Sequence, residues 1–307
     1  MRLIFAGTPA VAVPSLDALV AGPHEVVAVV TRPDAPLGRK RVLTPSPVAA
    51  RAAELGIPIV RATRLDEAAT TEIVAYGADL GVIVAYGGLV REPLLSAPRH
   101  GWINLHFSLL PRWRGAAPVQ HAIIAGDATS GAAVFQLVPG LDAGAVFDEI
   151  TRDVGTDETA GELLDALSYS GAALLASVVD EIAAGTAVAR EQEGEPTLAP
   201  KLGQDDARLD WTAPFDAVYN RFRGVTPEPG AFTTISGNRL KVLEARAAAD
   251  DAPDLEPGAL LVERSRVLVG TGSRPLELLR VQAAGKPAAA AADWGRGLPP
   301  GTERLDA

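Results

Sequence analysis

Asn104 and His106 stand two residues apart at the end of an apolar run, and Asp142 stands alone in the sequence GLDAG. Between them lie the turn-like stretch SLLPRWRGAAP and a helix-like segment. An Asn amide is a neutral donor and acceptor. His is the side chain whose unperturbed pKa lies near neutrality. An Asp can hold an imidazole in one tautomer, stabilise its charged form or take a proton itself. Converging on one carbonyl group, the three could support attack on it, with Asn104 and His106 donating to the oxygen as it becomes negative and Asp142 handling protons. The chain has no Cys, and Ser108 lacks the GxSxG elbow of a serine nucleophile. Direct transfer of a group between two bound substrates is therefore favoured over a covalent enzyme intermediate. His24, His100, His106 and His121 show neither HExxH nor paired spacing, so no metal is expected. Taken singly, each of these polar residues is more often structural than catalytic.

The elements that must position them can be read in order. RLIFAG (2–7), HEVVAVVT (24–31), IPIVRAT (57–63), ADLGVIVAYGGLV (78–90) and GWINLHFSLLP (101–111) read as strands. VAVPSLDALVAG (11–22), a segment opened by Ser46-Pro47, and DEAATTEIVAYG (66–77) read as the helices between them. That alternation predicts an α/β fold, an open, mostly parallel Rossmann-like sheet with helices on both faces. Period two along 101–111 puts Trp102, Asn104 and His106 on one face and Ile103, Leu105 and Phe107 on the other. Two polar groups on one face of a core strand would be costly without partners. At the strand's carboxyl end they instead point into the cleft where open α/β sheets bind ligands. Gly87 and Gly88 close the preceding strand, where they would admit a flat ligand or simply serve a tight loop. PVQHAIIAG (118–126) reads as a helix, 129–154 as two strands around PGLDAG, and 159–185 as a long helix ending at glycine.

The chain has 307 residues, 48% hydrophobic and 21% charged, enough for two domains. The expected division is a catalytic domain at 1–185, a polar linker at 186–204, and a second domain at 205–307 whose short, evenly spaced strands predict a small β-barrel. A net charge of −10 disfavours non-specific binding to nucleic acid or anionic membrane. Against that background the loop run Arg39-Lys40-Arg41 stands out; composition alone favours a solvated loop, with a polyanion contact as the sharper reading. The N-terminus does not read as a signal peptide, and no apolar stretch reads as a membrane span, so a cytoplasmic protein is expected. The turn after the first strand has no GxGxxG, which disfavours a dinucleotide oxidoreductase.

At NLHFSLLPRWRGAAPVQHAIIAGDATSGAAVFQLVPGLDAG the chain resembles the folate-dependent formyltransferases. The pattern N-x-H-x-SLLP…G…D-x-G stands here as Asn104, His106, Ser108 to Pro111, Gly115, Asp142 and Gly144. FAGTP, PSPV, VAYG, ARLDW and AGK extend the likeness, in order, over almost the whole chain. The resemblance implies 10-formyltetrahydrofolate as co-substrate, without a metal. The complete SLLPRWRGAAP implies, as acceptor, the free amine of methionine esterified to initiator tRNA. Asn104, His106 and Asp142 would be catalytic. The folate would lie against Val84, Ala85, Tyr86 and Gly87, with Ser108, Leu109, Leu110, Pro111 and Gly140 completing its site. Arg39, Lys40 and Arg41 would meet the tRNA, and the second domain would be an OB-like barrel. The chain would act as a monomer without a membrane. Phe107 departs from the family's small residue there and is expected to change packing only. The second domain is weakly acidic, with 13 Lys and Arg against 15 Asp and Glu over 202–307. The rival reading is a formyltransferase or formyl-folate hydrolase acting on a small molecule such as an amino-sugar nucleotide; a silent tRNA- or nucleotide-binding module is a second.

Overall fold

The computed structural model describes residues 1–306 apart from Arg39, Lys40 and Glu303. The chain divides into two compact units. One comprises Met1–Pro118, Thr129–Arg152 and Leu164–Ala199; the other comprises Val119–Ala128, Asp153–Leu163 and Pro200–Ala307.

The first unit is built on a seven-stranded sheet. Its strands are β1 (Arg2–Gly7), β2 (Glu25–Thr31), β5 (Ile59–Arg61), β6 (Leu80–Val84), β7 (Trp102–His106), β9 (Thr129–Gln136) and β10 (Val146–Asp153). Chain order also includes β3 (Ala35–Leu37), β4 (Val42–Thr44) and β8 (Arg114–Gly115), which lie outside this sheet. The strand order is β10-β9-β7-β6-β1-β2-β5. From β7 to β5 all neighbours are parallel, and β9 runs antiparallel to β7. The predicted α/β class is what the chain adopts. Helices α1 (Val13–Ala21), α2 (Pro47–Glu54) and α3 (Glu67–Ala75) make the crossovers, and the N-caps Ser46 and Asp66 accept from Ala49 and Ala69 N–H. Those bonds satisfy donors that the first helical turn leaves without partners.

β6 is apolar along its whole length and buried at every residue, as a central parallel strand covered on both faces must be. β10, at the sheet's edge, is mostly exposed or half-buried. The long helix α5 (Ala160–Ala184) is apolar and long enough to cross a membrane, but half of its most apolar window is buried inside the protein. At Gly171 it comes so close to Leu105 that an added Cβ would stand 3.1 Å from the leucine methyl. That contact covers the Leu105 face of β7.

Two expected strands stop earlier than their apolar runs. β6 ends at Val84 because Ala85 turns into the left-handed region at φ +48°. β7 ends at His106, and the next residues form a turn in which the Ser108 hydroxyl donates to Arg112 O at 2.6 Å. The expected loop at 32–50 contains a hairpin of β3 and β4, with Leu37, Val42 and Leu43 exposed. The polar stretch expected as a linker is tied to the first unit at several points. Arg190 pairs with Val146, and β11 (Leu198–Ala199) pairs in parallel with β8.

The second unit holds α4 (Pro118–Ala125, apart from its first residue), α6 (Phe215–Gly224) and a curled antiparallel sheet, a half-barrel. Its strands are β12 (Phe232–Ile235), β13 (Asn238–Ala247), β14 (Leu260–Val262), β15 (Val267–Val269), β16 (Leu276–Ala283) and β17 (Ala289–Ala290). They run β12-β13-β16-β15-β14, with β17 beside β16 and irregular register in β13 between Val242 and Ala245. A core of Trp211, Phe215, Tyr219, Phe222, Val267 and Leu276 joins helix to sheet. α4 counts with this unit because α6 lies against it; a Cβ at Gly224 would meet Gln120 O at 2.9 Å.

Candidate active site

The site begins with one strand face. Trp102 is fully buried in the core beside Ile4, Ala6, Ile83 and Tyr86, and its indole N–H donates to Leu94 O at 2.8 Å. Asn104 and His106 continue the same face towards the strand's carboxyl end. Asn104 is only half-buried, and its side chain has no hydrogen-bond partner among the described residues. A neutral donor left open to solvent at a strand end is free to bind a ligand oxygen.

His106 is 6% exposed, with the Phe135 ring edge-on to it at 6.3 Å. Its Nε2 lies 2.9 Å from Trp113 O. A carbonyl can only accept, so Nε2 carries the proton of the neutral ring and Nδ1 presents a lone pair. Nδ1 stands 3.9 Å from Asp142 Oδ2, within ion-pair range and beyond hydrogen-bond range. Burial pushes the His106 pKa below its ordinary value, against the Asp142 carboxylate and the Trp113 carbonyl, which both favour the charged ring. Burial thus favours the neutral ring.

Asp142 reaches this point across 36 residues of sequence. Its backbone is left-handed, at φ +43°, and its Oδ2 accepts from Gly115 N–H at 2.8 Å. The loop is pinned at Gly144, where an added Cβ would fall 1.7 Å from Gln136 O, so only glycine fits. Trp113 is also left-handed, at φ +60°. Five described non-glycine residues have positive φ, and three of them, Ala85, Trp113 and Asp142, lie in the loops at these strand ends. Such conformations cost about 1–3 kcal/mol each and persist where surrounding contacts impose them.

The expected folate residues divide by environment. Ala85 and Gly87 are exposed, whereas Val84 and Tyr86 are buried, with the Tyr86 hydroxyl on Ala62 O at 2.9 Å. Thr8 and Arg32 reach the same loop, Arg32 donating to Gly87 O at 2.7 Å. Ser108, Leu110 and Pro111 are buried in the turn, which holds a cis Leu110–Pro111 bond, and Leu109 packs over Gly131. Gly140 is exposed in the Asp142 loop. Phe107 is buried. Of the basic run, Arg39 and Lys40 lie outside the described residues; Arg41 is exposed beside the hairpin, at φ +49°. Among the described residues, no group of three or more His, Asp or Glu side chains could hold a metal ion.

Sequence reasoning missed Gln192. Its Nε2 donates to Asp142 O and to Gly144 O, both at 2.8 Å, and its Oε1 accepts from Arg114 Nε and Nη2 at 3.1 and 2.6 Å. Nothing in a polar stretch without periodicity marks this residue, because its partners lie 48 to 78 positions away.

The chain belongs to the formyl transferase family. The family's formyl transferase domain matches residues 1–179, and its formyl transferase C-terminal domain matches 201–299. A protein named methionyl-tRNA formyltransferase from Leifsonia xyli subsp. xyli is 65% identical over 297 residues, covering 97% of each chain. One of the same name from Cutibacterium acnes is 51% identical over 305 residues, again covering 97% of each. Among solved structures, the methionyl-tRNA formyltransferase from Clostridium thermocellum superposes with a TM-score of 0.58 at 16% identity, covering 82% of this chain and 95% of that one. At that identity the superposition speaks to fold alone.

Proposed function

We propose that this chain transfers the formyl group of 10-formyltetrahydrofolate to the free amine of methionine esterified to initiator tRNA. The observation that carries the reading is end-to-end identity of 65% with a protein named for that activity. The geometry at the ends of β6 and β7 supports the residue roles. The rival, a small-molecule acceptor, is supported by sugar N-formyltransferase structures only at 14–15% identity, where the likeness speaks to fold alone.

The site's chemistry fits a folate at the strand ends. Ala85 and Gly87 are exposed between the buried Val84 and Tyr86 and could meet a flat ring, and Gly140 is exposed in the Asp142 loop. Ser108 to Pro111 form a largely buried turn directly after His106. When bound, the folate supplies the formyl carbon, whose bond to the folate nitrogen breaks as the bond to the amine forms. Asn104 donates from its free amide to the formyl oxygen as negative charge grows there. His106, neutral at rest, accepts the amine proton on Nδ1. The imidazolium that results holds Trp113 O with Nε2–H and has a second N–H, on Nδ1, to offer the developing oxyanion. Asp142 stabilises that charge across 3.9 Å. Its Oδ1, without a hydrogen bond among the described residues, is open to relay the proton to the leaving nitrogen. Polarisation by Asn104 and His106 requires no metal ion. Under this reading the chain works as a monomer in the cytoplasm, and Arg39, Lys40 and Arg41 meet the tRNA phosphates.

The test is formylation by the purified chain of charged initiator tRNA, beside uncharged tRNA, free methionine and an amino-sugar nucleotide. Product on charged tRNA alone is expected. No product there, or preferential formylation of the sugar nucleotide, refutes the assignment.

A further inference from the structure

The segment from Arg190 to Ala199 crosses both loops that carry the candidate chemistry. Arg190 exchanges two backbone hydrogen bonds of 2.8 Å with Val146. Thr197 accepts Trp113 N–H on Oγ1 and Arg114 N–H on its carbonyl, both at 2.9 Å. Ala199 O accepts from Ala116 and Ala117 N–H, and leaves no room for a Cβ at Gly115, where one would stand 2.6 Å away. The strap therefore holds the Trp113–Gly115 loop, in which the Trp113 carbonyl accepts from His106 Nε2–H and the Gly115 N–H donates to Asp142. In its middle, Gln192 uses both amide hydrogens on the Asp142 loop and both oxygen lone pairs on Arg114.

We infer that Gln192 is a positioning residue for the His106–Asp142 pair, holding the Asp142 backbone in its left-handed turn so that the carboxylate stays beside His106 Nδ1. This rests on the reading that Asp142 handles protons. The geometry explains why a glutamine suits the position. Two carbonyl oxygens, of Asp142 and Gly144, need a donor with two hydrogens, and one guanidinium needs an acceptor; a primary amide supplies both in one plane. Without the donor, two partly buried carbonyls lose partners, and the strained turn loses the contact that opposes its relaxation.

Two near-isosteric variants separate the two halves of the amide. Gln192→Met removes all four bonds. Gln192→Glu keeps an acceptor for Arg114 but sets a carboxylate against two carbonyls. Both are expected to lower kcat by about 10- to 100-fold, the scale of an ångström-sized misplacement, with KM for charged tRNA and for folate changed less than about threefold. In Gln192→Met the His106 ring, followed by NMR, is expected to titrate at lower pH than in the parent chain, because a displaced carboxylate no longer favours its charged form. A merely structural glutamine would lower thermal stability and leave that titration where it was. Asp142→Asn alone and Asp142→Asn with Gln192→Met complete the cycle, and the double variant is expected to be no slower than Asp142→Asn alone. If Asp142→Asn retains parental turnover, the reading of Asp142 fails. If Asp142→Asn is impaired while Gln192→Met keeps parental kcat and His106 titration, the inference about Gln192 is overturned and the reading of Asp142 stands. Retained activity in Gln192→Glu assigns the residue to Arg114 instead and also overturns it. Should Gln192→Met fail to fold, Gln192→Glu decides by kcat, because its own carboxylate would also act on the His106 titration.

Discussion

Asp142→Asn removes one negative charge while leaving its loop in place. Asn is among the non-glycine residues most tolerant of the left-handed conformation that Asp142 adopts at φ +43°. Its amide oxygen can still accept the 2.8 Å bond from Gly115 N–H. What disappears is the proton relay through the carboxylate and, of known magnitude, its attraction to the His106 ring once that ring has taken a proton. Nδ1 and Oδ2 are 3.9 Å apart. Unit charges at about that distance, with an effective dielectric of about 20, attract by about 4 kcal/mol. If all of that were felt only in the transition state, kcat would fall by about a thousandfold. The carboxylate is 13% exposed, and solvent reaching it weakens the attraction. A loss of about 100- to 1,000-fold in kcat is therefore expected, within the range of a lost acid–base partner. KM for charged tRNA should change little, because the charge matters only after the proton moves. The assay is initial formylation rate at saturating folate over a range of charged initiator tRNA, with circular dichroism and thermal unfolding to show the fold intact. A kcat within about threefold of the parent chain, on a folded variant, would refute a protonated His106 in the transition state.

Other outcomes follow from the same geometry. Asn104→Ala should lower kcat by about 100-fold, the scale of one lost oxyanion donor, while binding of a non-reactive folate analogue is retained; loss of analogue binding with normal kcat would make Asn104 an anchor instead. Long-range ¹⁵N NMR should find His106 neutral with the proton on Nε2 at pH 7, and charging only below the ordinary value of 6.5 because burial lowers its pKa. Between 6.5 and the lower folded value the unfolded chain binds more protons, so His106 makes stability fall as pH drops through that window and contributes fully above it. A ring already half-charged at or above 6.5 would contradict this. Gly144→Ala should destabilise by about 3 kcal/mol or more, since its Cβ would collide with backbone rather than a flexible side chain; an unchanged Tm would show that the loop can move aside. Arg39→Ala should weaken tRNA binding and reduce its salt dependence by about one phosphate contact, and equal affinity with and without Arg39 would return that loop to a solvated role.

Much of the fold is legible in local pattern. The β1–α1–β2 alternation, the fully apolar β6, the period-two face of β7 and the two strands around PGLDAG all follow from neighbouring residues. Element ends are less legible, because they depend on backbone that leaves the regular regions. No feature of Ala85 itself announces φ +48°, yet that turn ends β6 and exposes the backbone expected to meet folate.

Asn104, His106 and Asp142 could be singled out from residue type and spacing, since a polar pair at the end of a buried strand and an acid in a glycine-rich turn are local facts. Tertiary structure decided what those residues face. The Trp113 carbonyl assigns the proton of His106 to Nε2, and burial favours the neutral ring. Gly115 N–H and Gln192 orient Asp142, and the segment from Arg190 to Ala199, a linker by composition, becomes the strap across both loops. The physical reason is distance along the chain. Hydrophobic periodicity reports which face of an element is buried, but a tautomer or a carboxylate's direction is set by partners that only folding brings within 3 Å.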